Sequence, residues 1–390
     1  MSANVVHAKG ATRERAPFSG SYAAEDVVFL LERISGQALD PGSLAEKERL
    51  IQSGRRHYSE MLSEETAPSA AYMDVYRDGM RRHRDRLARD VARLVRGLDA
   101  SIDGQITLVS LVRAGVPPGV LITRGLKRRG RDVVHFGVSI IRDRGIDANA
   151  LGYVLARRKA GGVVFVDGWT GKGAISDELA RDLPRAAPGV AARLLVIADP
   201  GGRAWMSASF EDWLIPCGIL GANVSGLISR SVLTDDLIRR QGFHGAAVAG
   251  HLRSVDVSRN FADDMDAAIA PLLAASRDAA DVAPAVADDA TARARVRAAA
   301  EAAIDAVTAE FGVSNRNRIK PGIAEATRAV LRRAPDRILV RDADDPDLAG
   351  LLTLARDRGV TVEPRGVGLG PYRAITLIMD ASDISPRHPE

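Results

Sequence analysis

The sequence predicts an α/β protein with an open, mainly parallel sheet, added N-terminal helices, and a second, small α/β domain at its C-terminus. In the middle of the chain, short apolar runs alternate with helical segments, which is typical of parallel strands covered on both faces. A chain of 390 residues is long for one compact core. Residues 276–290 are rich in alanine, aspartate and proline and are predicted to be a linker. We therefore expect a larger domain over residues 18–275 and a smaller one over 291–390.

Two helices are predicted before the sheet. Val27, Leu30 and Ile34 recur at helical spacing, and acidic residues follow Ser21, so a helix is predicted to begin at Ser21. A longer helix is predicted over residues 71–97, because an apolar stripe runs along it and arginines occupy its other sides.

Strands and helices then alternate along the chain. The predicted strands are 105–112, 133–141, 162–167 and 193–199, with helices at 117–127 and 173–182. Beyond the predicted linker, the pattern indicates a helix at 292–311, a strand at 337–341, a helix at 348–358 and a small α/β unit ending at Met379.

Composition restricts the class of protein. Hydrophobic and charged contents of 46% and 27% are typical of a folded chain. The net charge of +4 permits contact with phosphate-rich partners but does not by itself indicate nucleic acid. The single cysteine, Cys217, excludes an internal disulfide and a cysteine-cluster metal site. No signal-peptide core or bilayer-length apolar run is present, so we expect a cytoplasmic protein without a membrane partner.

A glycine-rich loop follows the predicted strand 162–167. Ligands bind at the carboxyl ends of parallel strands, and glycines followed by a helix N-terminus suit a phosphate. Thr170 would donate a hydroxyl and Lys172 a positive charge. The candidate phosphate-binding residues are Gly168, Thr170, Gly171, Gly173 and Ala174. The alternative is an ordinary turn with a structural Asp167.

Two common phosphate-binding signatures do not fit this loop. A Walker A loop needs four residues between its glycines and a Ser or Thr after the lysine, but Gly168 and Gly171 are closer and Gly173 follows Lys172. A dinucleotide-binding fingerprint fails because Asp167 precedes the glycines. The stretch resembles the phosphoribosyl pyrophosphate loop of type I phosphoribosyltransferases.

A second loop, residues 110–119, follows the first predicted strand and resembles the pyrophosphate loop of the same enzymes. The resemblance implies that Arg113 and the amides near Ala114 and Gly115 bind the leaving pyrophosphate. The alternative is a plain turn with a surface arginine. Arg142 and Arg144, after the second predicted strand, are a candidate lid over a polyanionic substrate or a plain charged turn.

Several longer motifs, together spanning about residues 18–261, resemble the StiP-type family, which accompanies bacterial tellurium-resistance and stress operons and is viewed as divergent phosphoribosyltransferases. These motifs are residues 20–23, 50–59, the Arg113 loop, 166–174 and 224–230. The resemblance implies a phosphoribosyltransferase-type sheet and a phosphoribosyl pyrophosphate-type donor bound with Mg²⁺. Asp167, Lys172 and Arg113 would then be the catalytic residues. One departure is that Gly168 follows Asp167, where these enzymes carry a second acid.

Three functions follow as hypotheses. The main expectation is a phosphoribosyltransferase-like enzyme coupled to RNA binding, with a homodimer considered as its oligomeric state. The first alternative is a non-catalytic sensor of a phosphorylated ligand that binds RNA.

The second alternative is a cysteine protease that uses Cys217, because some descriptions of the StiP-type family carry that label. A nucleophilic thiolate needs a cationic environment and an oriented histidine. The sequence does not place a histidine beside Cys217, which lies in an apolar stretch, so we interpret it as a small buried hydrophobe.

The C-terminal region contains a basic loop and helix, residues 318–333, that resembles the Pelota and ribosomal kink-turn-binding family. The resemblance implies RNA binding through Lys320, Gly322, Glu325, Arg328, Arg332 and Arg333. Ala324 stands where those relatives often carry a base-reading asparagine, so contact with phosphates rather than bases is expected. The alternative is an inert α/β cap with a basic surface.

Overall fold

The computed structural model of the chain describes residues 16–34, 39–40, 42–239, 242–274 and 283–380. The helices are α1 (Leu44–Gln52), α2 (Ala70–Ser101), α3 (Val116–Arg128), α4 (Ala148–Leu155), α5 (Ala174–Ala186), α6 (Pro216–Ile219), α7 (Asp235–Arg239), α8 (Ser258–Ala274), α9 (Ala290–Glu310), α10 (Ile323–Arg332) and α11 (Ala349–Asp357). The strands are β1 (Val28–Phe29), β2 (Glu32–Ile34), β3 (Ile106–Leu111), β4 (Val133–Val138), β5 (Ile140–Ile141), β6 (Gly145–Ile146), β7 (Val163–Val166), β8 (Leu194–Ala198), β9 (Met206–Ser209), β10 (Gly245–Ala247), β11 (Ile319–Pro321), β12 (Pro335–Val340), β13 (Thr361–Pro364) and β14 (Ala374–Ile378).

The central sheet has six strands in the order β1-β4-β3-β7-β8-β9, and each neighbouring pair is parallel. Helices α2, α3 and α8 pack on one face, and α4 and α5 pack on the other. Leu108 of β3 lies in the first apolar core, and its neighbour Val109 lies in the second. The predicted mainly parallel sheet with both faces covered is confirmed.

The chain leaves β3 in one direction to reach β4 and returns on the other side of β3 to form β7. The connections after β3 and β7 therefore diverge, and a crevice opens between the carboxyl ends of these two strands. This crevice is where both predicted phosphate-binding loops begin.

The predicted helix beginning at Ser21 is wrong. The segment instead forms turns followed by β1 and β2. Leu30 donates its amide hydrogen to the carbonyl of Gly137, and a Cβ at Gly137 would lie 2.3 Å from the ring of the fully buried Phe29. The free edge of β4 supplies hydrogen-bond partners that local spacing of apolar residues does not reveal. The second predicted helix is confirmed as α2, capped by the hydroxyl of Ser69.

The C-terminal region forms a separate four-stranded mixed sheet in the order β11-β14-β12-β13. Helix α9 covers one face, and α10 and α11 cover the other, which confirms the predicted small α/β unit. Helix α10 also packs against the larger unit, because Ile323, Ala326 and Val330 share an apolar core with Leu214 and Tyr72.

The predicted linker lies partly outside the described residues. Its last part packs against the edge of the large sheet, where the amide of Ala285 donates to the carbonyl of Arg93 and Ala287 bridges to Met206 of β9. The domain boundaries themselves stay a prediction.

Helix α2 is 32 residues long but carries arginines along much of its length. Within the described ranges, no helix combines the length and apolar character needed to cross a membrane.

Asp212 joins the two units at the beginning of α10. Its carboxylate accepts the amide hydrogens of Ile323, at 3.0 and 3.2 Å, and of Arg373, at 2.8 Å. The first of these amides has no partner within its own helix. Burial raises the pKa of Asp212 to about 6, so this carboxylate remains mainly ionised at neutral pH.

We expect Asp212→Ala to lower the free energy of unfolding by about 2–4 kcal/mol, because two buried backbone donors lose their acceptor. The matched control is Glu211→Ala, which removes an exposed carboxylate that pairs with Arg86 and should change this free energy by about 0.5 kcal/mol or less. Urea titrations followed by circular dichroism and tryptophan fluorescence measure both variants. Equal stabilities for the two variants would contradict the role given to Asp212.

Candidate functional site

A cavity of about 360 Å³ lies in the crevice between β3 and β7 and is closed on its other side by β11 and α10. The loop after β3 forms one wall, with Arg113 and Ala114. The loop after β7 forms the floor, with Asp167, Thr170, Gly171, Lys172, Gly173 and Ala174. The larger unit and the C-terminal region therefore build this cavity together.

The carboxylate of Asp199, which follows β8, stabilises the glycine-rich loop through Thr170. Thr170 donates its hydroxyl hydrogen to the Asp199 carboxylate and accepts the amide hydrogen of Gly201 at 3.1 Å. The Asp199 carboxylate also accepts the amides of Arg203 and Ala204, at 2.8 and 2.9 Å. The hydroxyl of Thr170 thus stabilises the loop in the free protein, and its expected contact with a ligand stays a prediction.

The loop ends at Gly173, which has a φ of 95° and directly precedes α5. A side chain at this left-handed position would be strained, and a Cβ would also lie 2.8 Å from the Arg203 side chain. The positive end of the α5 dipole faces the cavity at this point. A bound anion is favoured there.

Asp167 lies on the floor of the cavity, and burial raises its pKa to about 6. The amide hydrogen of Gly168, 2.8 Å from a carboxylate oxygen, partly opposes this shift. Near pH 6 this carboxyl group therefore exists in both protonation states.

The C-terminal region clamps the glycine-rich loop. The ammonium group of Lys172 donates to the carbonyl of Ile319 at 3.0 Å, and the Tyr372 hydroxyl donates to the carbonyl of Gly171 at 3.2 Å. A Cβ at Gly171 would lie 2.4 Å from a carboxylate oxygen of Glu325, so a side chain there would require the Glu325 side chain to move. Lys172 was expected to contact a ligand, and it also joins the two units.

The loop after β3 brings Arg113 to the cavity with its charge partly neutralised. Arg113 donates to the carbonyl of Ile228 at 2.9 Å and pairs with the carboxylate of Glu65. Gly115 does not line the cavity: its amide is used within the turn, and a Cβ there would lie 2.0 Å from the carbonyl of Val166.

Five of the six residues predicted to bind RNA lie on the cavity wall. Those that line it are Lys320, Glu325, Arg328, Arg332 and Arg333. The guanidinium of Arg328 packs 4.4 Å from the ring centroid of Trp169, and Arg332 donates to Glu65 at 3.2 Å. Gly322 does not line the cavity but precedes α10 with a φ of 88°. The expected basic RNA-binding surface is thus turned toward the glycine-rich loop.

Cations far outnumber carboxylates in the lining. The lysines and arginines are Lys47, Arg113, Arg142, Lys172, Arg230, Lys320, Arg328, Arg332 and Arg333, and the carboxylates are Asp167 and Glu325. Some of these cations are paired outside the cavity, as Arg333 is with Glu48. The only ion pair of Lys320 among the described residues is Glu325, at 3.8 Å.

This crowding changes the acidity of the lysines. Burial and neighbouring cations lower the pKa of Lys320 to about 7, although Glu325 partly opposes the shift. Burial lowers the pKa of both Lys47 and Lys172 to about 8, with nearby arginines acting in the same direction. A bound anion would reverse these shifts by compensating the positive charge.

The structure separates the two predicted lid arginines. Arg142 lines the cavity and donates to the Asn317 side chain at 3.2 Å. Arg144 points elsewhere and pairs with Glu60 at 2.6 Å. Sequence reasoning missed Arg230, which donates to the carbonyl of Tyr58 at 2.8 Å. The family motif at 224–230 contained it.

Cys217 is the second residue of α6 and is only 5% exposed. Burial raises the pKa of its thiol to about 12, and the positive charge of Arg328 opposes this only in part. The described histidines have other partners: His57 contacts Ser59, His83 contacts Asp347, His135 contacts Ser110, His244 contacts Ser139, and His251 contacts the carbonyl of Glu65. Among the residues described, none of these imidazoles is hydrogen-bonded to the thiol.

The described residues do not fit a metal held by the protein alone. No group of three or more His, Cys, Asp or Glu side chains is gathered for a metal ion within the described ranges. The two cavity carboxylates are surrounded by cations, which disfavour a further positive charge. Mg²⁺ was expected only together with a pyrophosphate donor.

Comparisons with known proteins identify both units. The profile of a family described as "Tellurite-like stress resistance cysteine protease StiP" matches residues 20–266, and that of the "PELOTA RNA binding domain" matches residues 298–380. The protein "Cysteine protease StiP" of Acinetobacter baylyi is 44% identical over 371 residues, which cover 93% of this chain and 94% of the relative. No solved structure matches.

These comparisons overturn the expectation of a phosphoribosyltransferase-like enzyme, because the family and the relative are both described as cysteine proteases. The transferase expectation rested on two loops that resemble donor-binding loops. In the structure, Thr170 and Arg113 of these loops are already engaged by Asp199 and Glu65. The predicted resemblances to the StiP-type family and to the Pelota family are confirmed. The chain belongs to the StiP family and carries a Pelota-type RNA-binding domain.

Proposed function

We propose that this protein binds a phosphorylated ligand in the cavity between the six-stranded sheet and the C-terminal region. The observation that carries this proposal is the excess of buried cations around a glycine-rich loop and a helix N-terminus. Phosphate groups satisfy cations of this kind through charge-assisted hydrogen bonds. No transfer reaction is part of the proposal.

A phosphorylated ligand would compensate the excess positive charge of the cavity lining. The pKa of Lys320 is lowered to about 7 and that of Arg328 to about 9. Burial is the larger cause, and neighbouring positive charges act in the same direction. A polyanion between them would stabilise their charged forms, so binding is linked to proton uptake. Any Mg²⁺ would arrive with the phosphates of the ligand.

The attached Pelota-type domain makes RNA a partner of this site. Its basic residues and the glycine-rich loop share one cavity. A protein of this design would act as a sensor that couples a phosphorylated ligand to RNA binding. The oligomeric state and the cellular location stay predictions.

Anion affinity should fall as pH rises from about 6.5 to about 9. Lysines must be protonated to bind an anion, and in the free protein the pKa of Lys320 is about 7 and that of Lys172 about 8. Isothermal titration with sulfate, which stays a dianion over this range, avoids titration of the ligand itself.

We expect Lys320→Met to weaken sulfate binding about tenfold near pH 6.5, because one charge-assisted contact is lost. The same substitution should flatten the pH dependence of the affinity.

The matched control is Lys159→Met, which removes an exposed lysine that does not line the cavity. Its affinity and pH profile should equal those of the unchanged protein. Equal sulfate affinity in the Lys320 and Lys159 variants at each pH would remove Lys320 from the site, and absence of binding by sulfate, pyrophosphate and phosphoribosyl pyrophosphate would refute the proposal.

Peptide hydrolysis is a second candidate function, because the family and its relative are described as cysteine proteases. In this chain the thiol would have to belong to Cys217, because it is the single cysteine. Its burial and its raised pKa, about 12, oppose this role, since nucleophilic thiols have lowered pKa values. A protease mechanism would need α6 to move away from its apolar surroundings.

We expect the Cys217 thiol of the folded protein to react with iodoacetamide near pH 8 at least about 100-fold more slowly than in the urea-unfolded chain, because burial suppresses both access and thiolate formation. Mass spectrometry follows the alkylated fraction with time. Reaction at or above the unfolded rate, together with peptidase activity that Cys217→Ala abolishes in a folded protein, would establish the protease instead.

A further inference from the structure

We infer that the ligand of the cavity is the phosphorylated end of an RNA strand. This inference rests on the proposed phosphate-binding function and adds the source of the phosphate. It follows from the position of α10, whose basic residues face the inside of a small cavity and not an open groove.

The RNA-binding residues Lys320 and Arg328 lie inside the cavity. Lys320 is 8% exposed, and Arg328 packs on Trp169 in the lining. Lys172 and Tyr372 hold the C-terminal region against the glycine-rich loop. While these contacts persist, RNA reaches Lys320 and Arg328 only by entering the cavity.

The volume of the cavity limits what can enter it. A volume of about 360 Å³ lies at the low end of the roughly 300–1,000 Å³ typical of small-molecule sites. This space accommodates one nucleotide with its phosphate, whereas an A-form helix is far too wide. A nucleotide in the middle of a strand would have to bring two neighbours with it, so a terminal nucleotide fits best.

The walls of the cavity combine positive charge with an aromatic ring. A terminal phosphate carries more negative charge than an internal phosphodiester, and the lining has an excess of lysine and arginine. Single-stranded bases stack on aromatic rings and on guanidinium planes. Trp169 and Arg328 stack on each other, with the guanidinium carbon 4.4 Å from the ring centroid, so an entering base would stack on the outer face of this pair.

The rest of the RNA strand would leave the cavity past further arginines. Arg142 of the lining contacts Asn317, and the side chain of the adjacent Arg316, which pairs with Asp305, is 56% exposed. These arginines would meet the phosphates of nucleotides that follow the terminal one. Their contacts would be electrostatic and independent of base identity.

The test uses the full chain and one short, unstructured oligoribonucleotide sequence in four forms: with a 5′-phosphate, with a 3′-phosphate, with hydroxyls at both ends, and circularised. Fluorescence anisotropy with an internal label measures each affinity at one salt concentration. We expect one of the phosphorylated ends to bind at least about tenfold more tightly than the hydroxyl and circular forms. Lys320→Met should remove this preference, and Lys159→Met should retain it.

Competition with tripolyphosphate separates this inference from the proposed function. If tripolyphosphate binds and displaces the end-phosphorylated RNA, both stand. If tripolyphosphate binds but all four RNAs have equal affinity, the cavity holds a free small molecule or opens to any strand, and the inference is overturned while the proposed function remains. If tripolyphosphate does not bind, an end preference would come from another surface, and both are overturned.

Discussion

Three hydrogen bonds across the glycine-rich loop hold the C-terminal region over the carboxyl edge of the large sheet: Lys172 donates to the carbonyls of Arg316 and Ile319, and Tyr372 donates to the carbonyl of Gly171. The cavity depends on this contact, because its opposite wall is α10. Asp212 reinforces the arrangement by accepting the first amide of that helix. The Pelota-type domain thereby forms one wall of a cavity whose other walls are loops at the carboxyl edge of the parallel sheet.

The arrangement concentrates positive charge in a poorly solvated space, which is unfavourable without compensation. Acidic residues behind the lining provide part of it: Glu65 pairs with Arg113 and Arg332, and Glu48 pairs with Arg333. Burial alone would raise the pKa of Glu65, but Arg113 and Arg332 hold this pKa well below its usual range. Lys320, whose nearest carboxylate is 3.8 Å away on Glu325, keeps a lowered pKa of about 7, and a bound anion would favour its charged form.

Local patterns were sufficient to predict β3, β4, β7 and β8 and the loops that follow β3 and β7. Long-range pairing was not predictable: β1 adds to the sheet only because the edge of β4 is available, and its apolar spacing imitates a helix. The predicted RNA-binding residues were found on α10 and β11, but their direction depends on docking between distant segments. Arg230 and Lys47 reach the cavity from parts of the chain that carry no phosphate-binding pattern of their own.

The most direct test of the shared cavity is hydrogen–deuterium exchange of the full chain with and without saturating tripolyphosphate. The account predicts that exchange slows both in the loop at residues 168–173 and in β11 and α10, while α4, on the other side of the sheet, is unchanged. Such joint protection would show that one anion contacts both walls. Slower exchange in only one of the two walls, or in neither while the anion is bound, would contradict a site built jointly by the sheet and the C-terminal region.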